Sequence, residues 1–301
     1  MMKMLAAVTF LLLPLGLSGQ PGIEEDSLMQ HVRTLAADEY QGRRTGEAGN
    51  EKAAGYILSR FQSYGLDSLN GGYKQPFQFH SRFLKKAYAG TNIWGVVKGR
   101  VYPDTFLVIT AHYDHVGVRA GEIYNGADDN ASGVGALLEL ARYFAQAPTP
   151  YSLLFVAFDA EELGLKGAAH FVDSLPVPLD NIKLNINMDM VGRNAESEIF
   201  ICGTAHYPQL RPVLQPLAER QEEILVSFGH DQAEGKPADD WTNASDHGCF
   251  HEAGIPFLYF GVEDHEDYHQ PTDDAERIMP LFYQNVVQLV LAAIQAFQPS
   301  P

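Results

Sequence analysis

The chain has 301 residues, 46% of them hydrophobic and 20% charged, with a formal net charge of −17. That length accommodates one large α/β domain or two small ones. The acidic balance argues against nucleic-acid binding, which needs a basic footprint to displace counterions, and it disfavours anionic membrane surfaces.

The first twenty residues, MMKMLAAVTFLLLPLGLSGQ, carry Lys3, an apolar stretch from Met4 to about Leu15, and then small residues. This order reads as a secretory signal peptide over 1–19. The apolar run is shorter than the ~20 residues a bilayer span needs. The expected location is periplasmic or secreted, with no stable membrane insertion after cleavage. Residues 20–301 show no repeat, low-complexity run or Pro/Ser-rich linker, and read as one domain.

After the leader, EEDSLMQHVRTLAADEY and TGEAGNEKAAGYILSRFQSYGL have helical spacing, with Gly65 near a C-cap. The period changes to that of strands at PFQFHSRF and TNIWGVVKG. Three nearly continuous apolar runs follow: TFLVITA, SLLFVAF and KLNINM. They are too short for core helices and predict parallel strands buried on both faces. Between the first two, Gly133 to Ala147 forms an amphipathic helix suited to a βαβ crossover. EIFICG, EILVSFG and IPFLYFGV are further strands, and a helix over DAERIMPLFYQNVVQLVLAAIQAF closes the chain. The expected class is α/β. Cys202 and Cys249 either pair, as an exported protein permits, or stay as buried thiols. Neither belongs to a C-x-x-C pair, which argues against a thiolate zinc site.

The strand ends carry the chemistry. TFLVIT runs into AHYDH, supplying His112 and Asp114; SLLFVAF runs into DAEELG, with Asp159, Glu161 and Glu162; KLNINM runs into Asp189. Ligand sites in open α/β sheets lie beyond the carboxyl ends of the strands. The loop NGADDNASGVG adds Asp128 and Asp129, and EDYHQPTDD adds His269 and Asp273. Each piece alone has an ordinary structural reading, as a helix cap, a turn or a dipole partner. Five in order deliver histidines and carboxylates to one sheet edge with no basic run to balance them. Such mixed ligation suits zinc and similar divalent ions.

The ordered set AHYDH, GADDNASG, FDAEELGLKG, NMDMVG, SDHGCF and YHQPTDD resembles metallopeptidase family 28, over roughly residues 90 to 295. That family includes dinuclear-zinc aminopeptidases, glutamate carboxypeptidase and glutaminyl cyclase. The resemblance implies a single three-layer α/β domain, with a mixed, mostly parallel central sheet flanked by helices, and two Zn²⁺ ions at its carboxyl edge. Carried over residue by residue, Asp128 bridges both metals, His112 and Asp189 complete one site, and Glu162 and His269 complete the other. A cis peptide bond is implied between Asp128 and Asp129. Glu161 matches the general base, which takes a proton from water and hands it to the leaving amine. Asp114 and Asp273 match carboxylates that orient His112 and His269. His247 stands where some relatives place a donor to the tetrahedral intermediate; the alternative is that Asp246 caps a helix and His247 faces solvent.

The leading expectation is an exported dinuclear-zinc aminopeptidase acting on peptide substrates. Its rivals are a mononuclear-zinc, glutaminyl-cyclase-like acyltransferase and a carboxypeptidase or dipeptidase. The last would need a basic pocket, to which Arg193 and Lys236 are the available contributors. A metal-stabilised binding module is disfavoured, because Glu161 and the ligand positions all carry competent side chains. The pocket walls are expected around Tyr207, Trp241 and Tyr268.

Overall fold

The computed structural model describes residues 22–81, 85–231 and 239–299. The leader at 1–19 and Lys236 lie outside the described residues. The chain opens with helices α1 (Glu25–Leu35) and α2 (Ala48–Tyr64), joined through a short 3-10 stretch at Asp38–Arg43. Strands β1 (Lys74–Ser81), β2 (Lys86–Val97) and β3 (Tyr102–His112) follow, then a small hairpin of β4 (Gly117–Arg119) and β5 (Glu122–Tyr124). Next come α3 (Gly133–Gln146), β6 (Tyr151–Phe158), α4 (Lys166–Asp173) and β7 (Ile182–Met188). The remainder is β8 (Glu198–Cys202), α5 (Arg211–Ala218), β9 (Leu225–Phe228), α6 (His247–Glu252), β10 (Phe257–Gly261) and α7 (Pro280–Ala296). Gly65 ends α2 in the left-handed region at φ +77°, where it costs least.

The main sheet has eight strands in the order β1-β2-β6-β3-β7-β10-β8-β9. Its centre, β6-β3-β7-β10, is parallel throughout, while β1, β2 and β8 join antiparallel. The three apolar runs of the sequence form β3, β6 and β7, and α3 is the crossover from β3 to its parallel neighbour β6.

Burial on both faces explains why these strands lack polar alternation. Along β6, Leu153, Phe155 and Ala157 enter one core with α1, α2, α3 and α7; Leu154, Val156 and Phe158 enter the other with α4 and α6. The result is three layers. Each fully buried Leu or Phe contributes roughly 1.5–3 kcal/mol, so the sheet centre is where the register is least able to slip. That rigidity fixes the strand ends. Both cysteines are free thiols, Cys202 in β8 and Cys249 in α6.

Candidate metal centre

Register alone brings the ligand-bearing residues level. His112 pairs with Phe158, so β3 and β6 end together. Thr110 pairs with Asn187, which places His112 beside Asp189 two residues further on. The backbone then departs from ordinary conformations where the acids begin. Ala160 (φ +61°), Met190 (φ +55°) and His269 (φ +54°) are non-glycine residues in the left-handed region. Each costs of order 1–3 kcal/mol, which the surrounding packing must hold in place.

Two groups of side chains converge there. His112, Asp129 and Asp189 form one; His115, Asp129, Glu162 and His269 form the other, with the donor atoms of each group within 4.8 Å of one another. Asp129 belongs to both. Its Oδ1 lies 3.4 Å from His112 Nε2 and its Oδ2 lies 3.0 Å from His269 Nε2. His112 Nε2 is also 3.2 Å from Asp189 Oδ1, and His269 Nε2 is 3.2 Å from Glu162 Oε1. The structure thus brings together His112, Glu162, Asp189 and His269 as the sequence suggested.

Asp128 stands outside both groups, which corrects its expected bridging role. Its Oδ1 accepts from the Gly192 amide at 2.7 Å, and its Oδ2 lies 3.1 Å from His265 Nε2. The reason is main-chain anchoring. The Asp273 carboxylate accepts the amides of Asp128 and Asp129 at 3.0–3.1 Å, and the Ser132 hydroxyl donates to the Asp128 carbonyl at 2.7 Å. With the loop so held, Asp128 points toward Gly192 and Asp129 toward the strand ends. The cis peptide bond likewise falls between Asp129 and Asn130, one residue later than expected.

The orienting acids also differ from expectation. Asp273 serves the Asp128–Asp129 main chain rather than His269. Asp114 Oδ1 is 3.8 Å from His112 Nδ1, which instead faces the Asp114 carbonyl at 3.1 Å. The Asp114 carboxylate accepts the amides of Glu161 at 2.9 Å and Glu162 at 3.3 Å, and the Thr45 hydroxyl at 3.2 Å. It fixes the adjacent acids by their backbone. Asp159, the first acid after β6, is compensated without any metal. It accepts from Thr45 and Asn50 side chains, the Thr91 and Ala160 amides and the Tyr113 hydroxyl.

Beneath the site lies Arg43, fully buried. Its guanidinium donates to the carbonyls of Leu35 (2.7 Å), Tyr113 (2.9 Å), Asn125 (2.6 Å) and Gly126 (2.8 Å). Burial lowers it to about 10, with the acids Asp129, Asp273, Asp114 and Glu162 pulling the other way.

Electrostatics separate the acids. Burial pushes the Glu161 carboxyl well above its ordinary value, against the pull of His112. Burial also opposes charge on Glu162, but His115 and His269 outweigh it and hold that carboxyl well down. His269 is disfavoured by burial, yet Asp129 and Glu162 raise it to about 10.

A cavity of about 80 Å³ opens on this centre, lined by Asp129, Glu161, Asp189, Met190, Trp241, Ala244, Tyr259, Val262, Asp264, Tyr268 and His269. Trp241 and Tyr268 take the expected places in its wall. Tyr207 does not, its hydroxyl lying 2.9 Å from His251 Nδ1. His247 is not at the cavity either, which corrects its expected catalytic role. Its ring is fully buried between Phe257 and Tyr259, with Nε2 2.8 Å from the Trp241 carbonyl, and burial lowers it to about 4. Arg193 is engaged with Asp267.

Asp129 and His115 are the members of these groups that the expected ligand set lacked. The available signal for His115 was the second histidine of AHYDH, three residues beyond His112.

Residues 92–294 match the model of Peptidase family M28, and the chain belongs to that family. A relative is an aminopeptidase of Bacillus subtilis, YwaD, 35% identical over 217 residues that cover 67% of this chain and 44% of the relative. The chain spans about half the length of the curated relatives it matches. Among solved structures, a zinc aminopeptidase from Bacillus subtilis superposes with TM-score 0.73 at 21% identity, covering 94% of this chain and 97% of that one. A glutaminyl cyclase from Fimbriiglobus ruber superposes with TM-score 0.76 at 20% identity, covering 93% and 97%. At these identities the likeness is one of fold.

Proposed function

We propose that the chain is an exported dinuclear-zinc aminopeptidase that removes N-terminal residues from peptides. The observation that carries this reading is which charged side chains line the cavity. Of its four carboxylates, Asp129 and Asp189 would be spent on the metal and Glu161 on proton transfer, which leaves Asp264 for a substrate α-ammonium. No Lys or Arg lines the cavity among the described residues, so a terminal carboxylate finds no basic partner in its wall, which weighs against the carboxypeptidase reading. Export rests on Lys3 and the apolar stretch after it.

The donor set fits zinc. Imidazole and carboxylate are its usual ligands, and the buried His115 nitrogens and Glu162 Oε1 have no hydrogen-bond partner among the described residues. Zinc in such sites supplies Lewis acidity toward a carbonyl and toward water. The chain's own groups do the rest. Glu161 takes the proton of the attacking water and delivers it to the departing amine nitrogen. Asp114 holds the Glu161 amide so that this carboxyl faces the cavity. Trp241, Tyr259 and Tyr268 wall the pocket and exclude water from the bound side chain.

The test is metal content of the purified protein together with hydrolysis of aminoacyl-anilides, with and without chelator. Two zinc ions and chelator-sensitive release are expected. One zinc, no anilide cleavage and cyclisation of an N-terminal glutaminyl peptide would replace this reading with the cyclase one, which the Fimbriiglobus ruber fold likeness supports.

A further inference from the structure

The two ligand groups differ in number. One offers three side chains and the other four, the extra one being His115. Ligand atoms around a tetrahedral zinc at ~2.05 Å stand about 3.3 Å apart. In the larger group His115 Nδ1 is 2.8 Å from Glu162 Oε1 and 3.5 Å from Asp129 Oδ2, and His269 Nε2 is 3.0 and 3.2 Å from the same two oxygens. These separations bracket that value. His115 Nδ1 and Glu162 Oε1 are both buried and lack an aligned hydrogen-bond partner among the described residues, although they stand only 2.8 Å apart. Atoms so placed are close enough to share one ion.

The seat of His115 is built into the backbone. Gly126 lies at φ +56°, and a Cβ there would come within 2.4 Å of the His115 ring and 2.1 Å of the Asp129 carbonyl. Only glycine leaves room for this imidazole beside the loop that carries Asp129.

We propose that His115 is a fourth ligand, which closes the site of Asp129, Glu162 and His269 and leaves that of His112, Asp129 and Asp189 as the open one. The inference rests on the dinuclear reading above. Closed four-ligand sites hold zinc structurally, whereas catalytic sites keep a position free. The closed site therefore fills first and tightly, and the open one fills second and more weakly. Protein carrying a single ion is loaded but inactive.

Cobalt(II) titration into the metal-free protein, followed by proton NMR, tests this. Each coordinated histidine contributes one strongly shifted, exchangeable imidazole N–H signal. Two signals are expected with the first equivalent, from His115 and His269, and a third with the second, from His112. His115→Gln is expected to remove one signal from the first set and to weaken the first ion roughly 100-fold or more in chelator competition. Only two signals at full loading of the unaltered protein would overturn the role of His115 while leaving two metals in place. That count needs no variant, so it stands even if His115→Gln fails to fold. Unchanged first-ion affinity in His115→Gln would overturn the inference as well. Uptake of one ion or none would overturn the dinuclear reading itself, and this inference with it.

Discussion

The buried carboxylate inside α3 and the carboxylates of the candidate metal centre are built on opposite principles. Glu139, inside α3, is surrounded by donors. Arg142 reaches both its oxygens at 2.8–3.1 Å, the Ser27 hydroxyl donates to it, and His31 Nε2 is 3.8 Å away. Burial alone would raise its pKa, but these partners bring it down to about 2. Asp159 and Asp114 at the strand ends also have their donors, whereas the ligand acid Glu162 stands without such a set. Glu162 Oε1 is buried with no hydrogen-bond partner among the described residues. An acid that holds the fold comes with its donors; an acid kept for a cation comes without them.

The largest test of this contrast replaces the shared acid. Asp129→Ala is expected to abolish binding of both ions, whereas Asp128→Asn keeps both and costs about 1–3 kcal/mol through its lost partners. Metal analysis with chemical denaturation separates the two, and loss of both ions from Asp128→Asn alone would restore the bridge to Asp128. Next, Glu161→Gln is expected to lower kcat about 10²–10⁴-fold with metal content unchanged. A drop in bound metal would instead make Glu161 a ligand.

On the donor-rich side, Glu139→Gln is expected to remove roughly 3 kcal/mol at neutral pH, from a shift between 4.5 and about 2. The folded pKa is depressed, so this stabilisation is complete above the unfolded value of 4.5 and is lost as pH falls toward about 2. The gap in Tm between the two proteins should therefore narrow across that window; a gap independent of pH would remove charge from the account. The smallest effect is expected at His247. His247→Gln should change kcat less than about tenfold, against the 10²–10³ loss that follows removal of an oxyanion donor.

The same contrast explains what the sequence could reveal. The central strands were legible because continuous apolar runs are a local signal, and delivery of acids to their ends follows from parallel topology. Which of two adjacent aspartates faces the centre was not legible. Asp128 and Asp129 are chemically alike, and the choice between them is made by Asp273, about 145 residues away in the chain. His115 was hidden for the same reason, since nothing near it in sequence reveals that Gly126 makes space for its ring. His247 was hidden differently: its depth depends on Phe257 and Tyr259 in another strand.

Arg43 sets a limit on modularity. The residues that match the family begin at 92, yet a guanidinium 49 positions earlier ties α1 to Tyr113 and to the carbonyls that lead into the Asp129 loop. The matched segment is thus not a self-sufficient cassette. A transplant or truncation cut at its boundary would carry every ligand and leave behind the clamp that sets their spacing.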